Sequence, residues 1–213
     1  MLTFKYLHMK KFLLGAGIIL LLAQCKKDHL NDTAQAAELT VPAFTETGAN
    51  TFGTYVDDKP WANFGYQWIG GLYSGQPAHN IPNVVTAGPG VDDKGDSLYT
   101  VGARLTVTQN GKVTRDETMY LEIPLPQSHN LKGIHQLVTV DYMLGYRIMN
   151  DQSYFSLIRS PVTVTVYQDT IIAGKRIVSG KFHGMLYGYT NLGAPLTDSV
   201  KLNGGVFDVG TRD

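Results

Sequence analysis

From Tyr99 to Val107 every second residue is apolar, and the positions between them are polar or small. Tyr99, Val101, Ala103, Leu105 and Val107 therefore share one face of an extended chain, because side chains alternate along a strand. Val162, Val164 and Val166 repeat the pattern against Thr163, Thr165 and Tyr167. No stretch of useful length beyond the N-terminal region carries the helical 3.6-residue period. Short half-buried strands separated by turn residues predict an all-β fold, an antiparallel β-sandwich, with a β-barrel-like arrangement as the alternative.

The run Tyr99 to Ile123 reads as a hairpin. A two-residue Asn110-Gly111 loop would set Leu105 opposite Asp116 and Val107 opposite Thr114, mixing the faces. A three-residue Gln109-Asn110-Gly111 loop instead pairs Val107 with Val113, Val101 with Met119 and Tyr99 with Leu121, and is the expectation here. Upstream, Phe52–Val56 and Pro60–Phe64 flank the turn Asp57-Asp58-Lys59, a second hairpin with Pro60 at an edge position or strand start. Gly65 to Asp96 is rich in Gly, Pro and Asn and reads mostly as loop. That is long for a compact domain, so it holds either short strands or a functional surface. Ile134 to Met149 predicts one or two further strands, bent at Gly145. Asp169 to Lys175 connects the valine strand to Arg176–Tyr189. There Gly180, Gly184 and Gly188 share the parity of Val178, Phe182 and Leu186, marking a face where something packs closely. In Val200–Val209 the apolar parity changes across Gly204-Gly205, as at a β-bulge.

The N-terminal region follows different rules. Lys10 and Lys11 precede Phe12–Leu22, an apolar run shorter than the roughly 20 residues that span a bilayer, so a signal-peptide helix is the reading. Met9 supplies a complete start for it, leaving the first eight residues superfluous. Leu22-Ala23-Gln24-Cys25 resembles the bacterial lipobox, from which Gln24 departs because a small residue is usual there. That resemblance implies cleavage before Cys25 and a lipid on its sulfur, and Cys25 is the single Cys of the 213 residues. Acyl chains on one residue suffice for stable anchoring. The chain is thus read as signal peptide over 1–24, lipidated Cys25 with a flexible tether over 25–49, and a β-rich domain over 50–213. A short helical turn near Thr33–Leu39 is compatible with the tether. No Asp follows Cys25 directly, so the expected location is the cell envelope, at the outer membrane, periplasmic or surface-exposed.

Composition narrows the function. Eighteen basic and 18 acidic residues give a formal charge of +0, with no basic stripe beyond Lys27, which argues against nucleic-acid binding. Asp92, Asp93 and Asp96 lack the spacing of a calcium loop and read as a solvated acidic turn. His79, His129, His135 and His183 form no metal-ligand pair, so no metal and no cofactor is assigned. His183, opposite in parity to Phe182, reads as a surface residue. No nucleophile motif is present, and no catalytic residue is assigned. Aromatic rings cluster in Trp61, Phe64, Tyr66, Trp68 and Tyr73. Of these Trp61, Tyr66, Trp68 and Tyr73 are the candidate ligand-binding residues, for a glycan or protein ligand, against the plainer reading of core packing. The favoured function is a lipid-anchored, non-enzymatic binding module. The alternatives are an envelope hydrolase built from separated carboxylates and a structural envelope component.

Three segments carry a family resemblance: Gly48-Ala49-Asn50-Thr51-Phe52-Gly53-Thr54-Tyr55-Val56-Asp57-Asp58-Lys59-Pro60-Trp61, Ile177-Val178-Ser179-Gly180-Lys181-Phe182, and Asn203-Gly204-Gly205-Val206-Phe207-Asp208-Val209. With them the chain resembles an uncharacterised family of β-rich lipoproteins of Bacteroidetes-type bacteria. The resemblance implies a β-rich envelope lipoprotein and assigns no activity. In that family the segment after the Cys sometimes resembles an acidic surface-export signal, which Lys26-Lys27-Asp28 matches in part.

Overall fold

The computed structural model describes residues 39–69, 79–92, 94–109, 112–137, 140–144, 152–157, 160–189 and 195–212. The chain divides into two units, Met1–His29 with Gly70–His79 and Leu30–Ile69 with Asn80–Asp213. The fold below is that of the second. The stretch read as a signal peptide, Cys25, Tyr73 and the bend expected at Gly145 lie outside the described residues.

The strands are β1 (Thr51–Val56), β2 (Lys59–Ala62), β3 (Tyr66–Ile69), β4 (His79–Pro82), β5 (Thr86–Val91), β6 (Ser97–Gln109) and β7 (Lys112–Pro124). They continue with β8 (Gly133–Leu137), β9 (Val140–Leu144), β10 (Gln152–Phe155), β11 (Val162–Ile172), β12 (Lys175–Tyr189) and β13 (Pro195–Arg212). One sheet runs β2-β1-β13-β12-β10-β9-β7-β6-β5, with β11 branching from β12 and β8 from β11; β3 and β4 form a separate pair.

The branch makes the sandwich. β12 holds β13 along one edge, while its other edge gives Lys175–His183 to β11 and Tyr187–Tyr189 to β10. One layer is then β8-β11-β12-β13-β1-β2 and the other β10-β9-β7-β6-β5. Their inner faces share one core that includes Phe52, Trp61, Phe182 and Phe207 from the first layer and Tyr99, Leu105, Met119 and Leu121 from the second. The Phe52 ring meets Trp61 edge-on at 5.7 Å and Phe182 at 5.2 Å. Arg176 of β12 lies 5.0 Å above the Tyr99 ring of β6, joining the layers through a cation–π contact. On the opposite side Phe64 bridges Leu105, its N–H donating to the Arg104 carbonyl and its carbonyl accepting from Thr106 N–H. That single bridge is the whole of the barrel-like character: among the described residues no strand ladder closes the sheet.

Alternation, the first hairpin and the glycine row are as expected. Asp57 and Asp58, both at positive φ, make the β1–β2 turn, and Pro60 sits on the edge strand β2. A side chain at Gly180 would strike the Phe207 ring and the Thr165 carbonyl within 2.6 Å. The register of β13 shifts against both β1 and β12 around Gly204, whose φ is 58°.

Three expectations change. In the long hairpin Gln109 pairs with Lys112, so the loop has two residues, not three. A bulge between Val107 and Thr108 then moves the register by one, so Val107 faces Arg115, Val101 faces Leu121 and Tyr99 faces Ile123. The bulge restores the parity that a two-residue loop alone would lose. Gly65–Asp96, read mostly as loop, contributes β3, β4 and β5.

The third change concerns the tether, read over 25–49. From Leu39 it is irregular backbone packed on the domain, and it ends against the buried Asp208 of β13. The Asp208 carboxylate accepts from Thr45 Oγ1 (2.5 Å) and from the amides of Thr47 (3.1 Å), Gly48 (2.8 Å) and Ala49 (3.0 Å). Phe44 packs edge-on against Tyr167 at 5.5 Å, with Lys181 Nζ 4.9 Å from its ring. This strap begins the folded domain well before Asn50.

The β11–β12 turn is Ala173-Gly174, with φ of 51° and 71°. Alanine pays for a left-handed backbone that glycine adopts freely. Ala173→Gly should therefore raise stability in urea by about 0.5–1 kcal/mol; an unchanged or lower midpoint would contradict the turn geometry.

Candidate functional site

The aromatic patch separates once folded. Trp61 is fully buried in the core, so it packs the sandwich and has no face for a ligand. Tyr66 begins β3 and is 38 % exposed. Trp68 lies on the same strand, and Tyr73 falls outside the described residues. The described surface at this place is built from Tyr66 and the polar groups behind it.

Those groups form a directed chain. Arg104 and Thr106 of β6 stand on the face away from the core, Thr106 opposite Asp116 of β7 and Arg104 opposite Thr118. Arg104 grips Asp116 through two bonds, Nε to Oδ1 at 2.7 Å and Nη2 to Oδ2 at 2.6 Å, the paired geometry that gives guanidinium–carboxylate contacts their specificity. Thr106 Oγ1 donates to Asp116 Oδ1 at 3.4 Å and accepts from Asn83 Nδ2 at 2.9 Å. The same Nδ2 donates to the Phe64 carbonyl at 2.7 Å. That carbonyl can only accept, which settles which end of the Asn83 amide faces it. Asn83 N–H donates to Gly65 O at 2.8 Å. Gly65 has φ of 86°, and any side chain there would run into the Thr106 carbonyl, so the strand crosses β6 at backbone distance.

Asn83 is buried, and among the described residues its Oδ1 has no hydrogen-bond partner. A buried amide oxygen without a donor is costly, and native structures hold few of them. Through its Nδ2 and backbone N–H bonds Asn83 fastens the backbone that leads into the exposed Tyr66, and the Arg104 side chain, about a third exposed, lies on the same face of β6 as Thr106. An exposed aromatic face on a backbone held rigidly against the sheet can hold a neutral polar molecule by stacking.

The buried acids elsewhere hold structure. Glu117, next to Asp116 in sequence, faces Leu105 across the β6–β7 ladder and is bound by Arg115, with Nη2 to Oε2 at 3.0 Å. Asp169 accepts from Arg176 twice at 2.8 Å and from Leu131 N–H at 2.8 Å. Burial works against its ionisation, but the Arg176 bonds, the Leu131 amide and the charges of Arg176 and Lys132 prevail, so its carboxyl sits below the ordinary range. Tyr154 donates to Asp198 at 2.6 Å; burial first, then that bond and the charges of Asp198 and Asp57, push its hydroxyl up to about 12. Asp92 Oδ1 accepts from the amides of Lys94 and Asp96, so the acidic turn is closed on itself as expected. His183 is exposed, and His135 contacts the Leu131 carbonyl through Nε2 at 2.7 Å. Among the described residues no three metal-binding side chains converge.

Asn83 and Asp208 were not singled out by sequence. Asp208 had a legible sign, a lone acid in Val206-Phe207-Asp208-Val209. Asn83 had none, because its role depends on how Phe64 and Gly65 cross β6. Compared with protein-family models, curated proteins and solved structures, the chain matches none.

Asp208 also yields a pH dependence. Burial opposes its ionisation, yet the Thr45 hydroxyl and the Ala49, Gly48 and Thr47 amides outweigh it and leave the carboxyl lower than usual. A depressed folded-state value stabilises above the unfolded value of about 3.9 and loses that contribution as pH falls through the folded one. Stability should thus fall below about pH 4, and Asp208→Asn should flatten that limb while speeding amide exchange at Thr47–Ala49. An acid limb of wild-type steepness in the variant would show that the strap contributes nothing to it.

Proposed function

We propose that this chain is a lipid-anchored cell-envelope protein whose β-sandwich is a binding module for a hydroxyl-rich or amide-rich ligand, a glycan or a peptide. The observation that carries the binding reading is the exposed Tyr66, which follows the Phe64–Gly65 backbone that Asn83 fastens to β6. The exposed phenol ring offers a sugar or a peptide a stacking face, with its hydroxyl able to bond at the rim. The Arg104–Asp116–Thr106 chain holds Asn83 in place, so little ordering is left for the ligand to impose.

The anchor reading rests on Leu22-Ala23-Gln24-Cys25 after an apolar signal run, and on the family resemblance of the three segments quoted above. Lipidation at Cys25 places the mature protein at the envelope, with the outer membrane as its site. The sandwich then stands beyond residues 26–38, and its strap is the first part of the folded domain.

Two measurements test the two halves separately. Labelled palmitate should enter the wild-type protein, and Cys25→Ala or globomycin should abolish both labelling and membrane retention; retention without label would remove the anchor. Purified full-length protein on an array of envelope and dietary glycans, with a peptide library alongside, should retain at least one class. Tyr66→Ala should weaken that binding about tenfold, or about 1.4 kcal/mol, at unchanged melting temperature. Silence on both arrays, or binding indifferent to Tyr66, would reject this surface.

A further inference from the structure

Four aliphatic side chains stand more than half exposed on elements around the sheet: Val91 at 71 %, Ile134 at 71 %, Ile171 at 65 % and Ile172 at 54 %. Val84, at 59 %, belongs to the irregular link before β5. Single exposed aliphatics are ordinary on protein surfaces. Val91 borders the acidic turn of Asp92 and Asp96, and Ile134 lies on one face of the edge strand β8. Ile171 and Ile172 differ, because they are adjacent at the end of a hairpin.

The ladder places Ile171 opposite Arg176 and Ile172 opposite Lys175, with the two-residue turn Ala173-Gly174 beyond them. Side chains of neighbouring strand residues point to opposite faces. The tip therefore carries one isoleucine on each face of its two-stranded ribbon. Arg176 marks the inner face, over Tyr99. Lys175 marks the outer face, where its Nζ donates to the Gly48 carbonyl at 3.1 Å. A partner groove would cover one face of such a ribbon; a wedge that is apolar on both faces fits a medium able to surround it. The charges agree. Lys132 and Lys175 stand near the tip, and the buried Asp169 close to it is already taken by Arg176.

We propose that the β11–β12 tip inserts into the interfacial region of the bilayer that carries the protein's own lipid anchor, Ile171 and Ile172 entering the acyl boundary and the lysines meeting anionic headgroups. This rests on the anchor reading. Reach permits it: the 13 residues 26–38 span at most about 45 Å, and Gly48, where the strap meets Lys175, follows Leu39 by nine residues, at most about 30 Å. Tethering also raises the effective concentration of tip at membrane, so a contact too weak for a free domain becomes populated. Interfacial burial of apolar side chains with cationic neighbours is the chemistry of surface-bound proteins.

The test uses full-length lipidated protein in liposomes containing phosphatidylglycerol. If Cys25 is acylated the wild type has no free thiol, so an environment-sensitive fluorophore labels only Ile172→Cys or, at the opposite end of the domain, Lys59→Cys. The proposal expects blue-shifted emission at 172, loss of that emission with nitroxide-labelled lipid, and neither effect at 59. Adding Ile171→Asp should return the 172 emission to its solvent wavelength at unchanged melting temperature. Solvent-like emission at 172 overturns the proposal. A blue shift that lipid nitroxide does not quench overturns it too, pointing to contact with protein. Labelling of the wild type itself would instead mean that the anchor reading has failed.

Discussion

β12 belongs to both layers at once, and the rest of the architecture depends on that. A strand of 15 residues extends about 50 Å, longer than the stretch either layer needs. Its second edge is therefore divided, Lys175–His183 serving β11 and Tyr187–Tyr189 serving β10. The sheet can change layer at β12 only if its backbone approaches its neighbours closely. Gly180 lies against Phe207 and Thr165, and Gly184 lies against Val162, with no room for a side chain. Phe182, between them in the same row, fills the space that Gly205 leaves open.

Irregular segments are held to this frame by buried acids. Asp208 holds the strap through three backbone amides and two hydroxyls, and Asp169 holds the loop before β8 through Leu131 N–H, while Arg176 reaches on to the His129 carbonyl at 2.8 Å. A carboxylate suits this work because it accepts several bonds at once, and bonds to a charged acceptor are the stronger ones. Asp116 does the same for side chains, fixing Arg104 and Thr106 and through them Asn83. The candidate surface is thus continuous with the sheet and owes its shape to β6 and β7.

Wherever one face of a strand is buried, the pattern could be read directly. Val162–Val166, Tyr99–Val107 and the parity change at Gly204-Gly205 all record which side chains must point inward. The long hairpin shows the limit of this. Apolar parity required Val107 and an odd-numbered partner, but a three-residue loop and a two-residue loop with a bulge both satisfy it, and only cross-strand packing chooses. β3 to β5 escaped because a strand such as Thr86–Val91, with Gly88, Pro89 and Gly90, has too few apolar side chains to show a period. The strap escaped because its bonds go to one acid far along the chain. Of the four aromatics proposed as a site, Trp61 shows why composition misleads: a large ring beside a loop is needed first by the core, and Phe52 and Phe182 claim it.

The pairing of β1 with β13 carries a consequence for the order of folding. Thr51 meets Asp208 and Val56 meets Leu202, so the first strand waits for the last. Contacts of such high sequence separation make folding slow, since the loop must close before any reward is gained. The strap waits as well, because the carboxylate that holds it arrives with Asp208. Until the C-terminal strand is present, β1 is an unpaired edge carrying Phe52 and Val56, open to association with other extended chains. A nascent chain is therefore most vulnerable when β13 alone is missing, and a truncation of those last residues would remove both the neighbour of β1 and the anchor of the strap in one step.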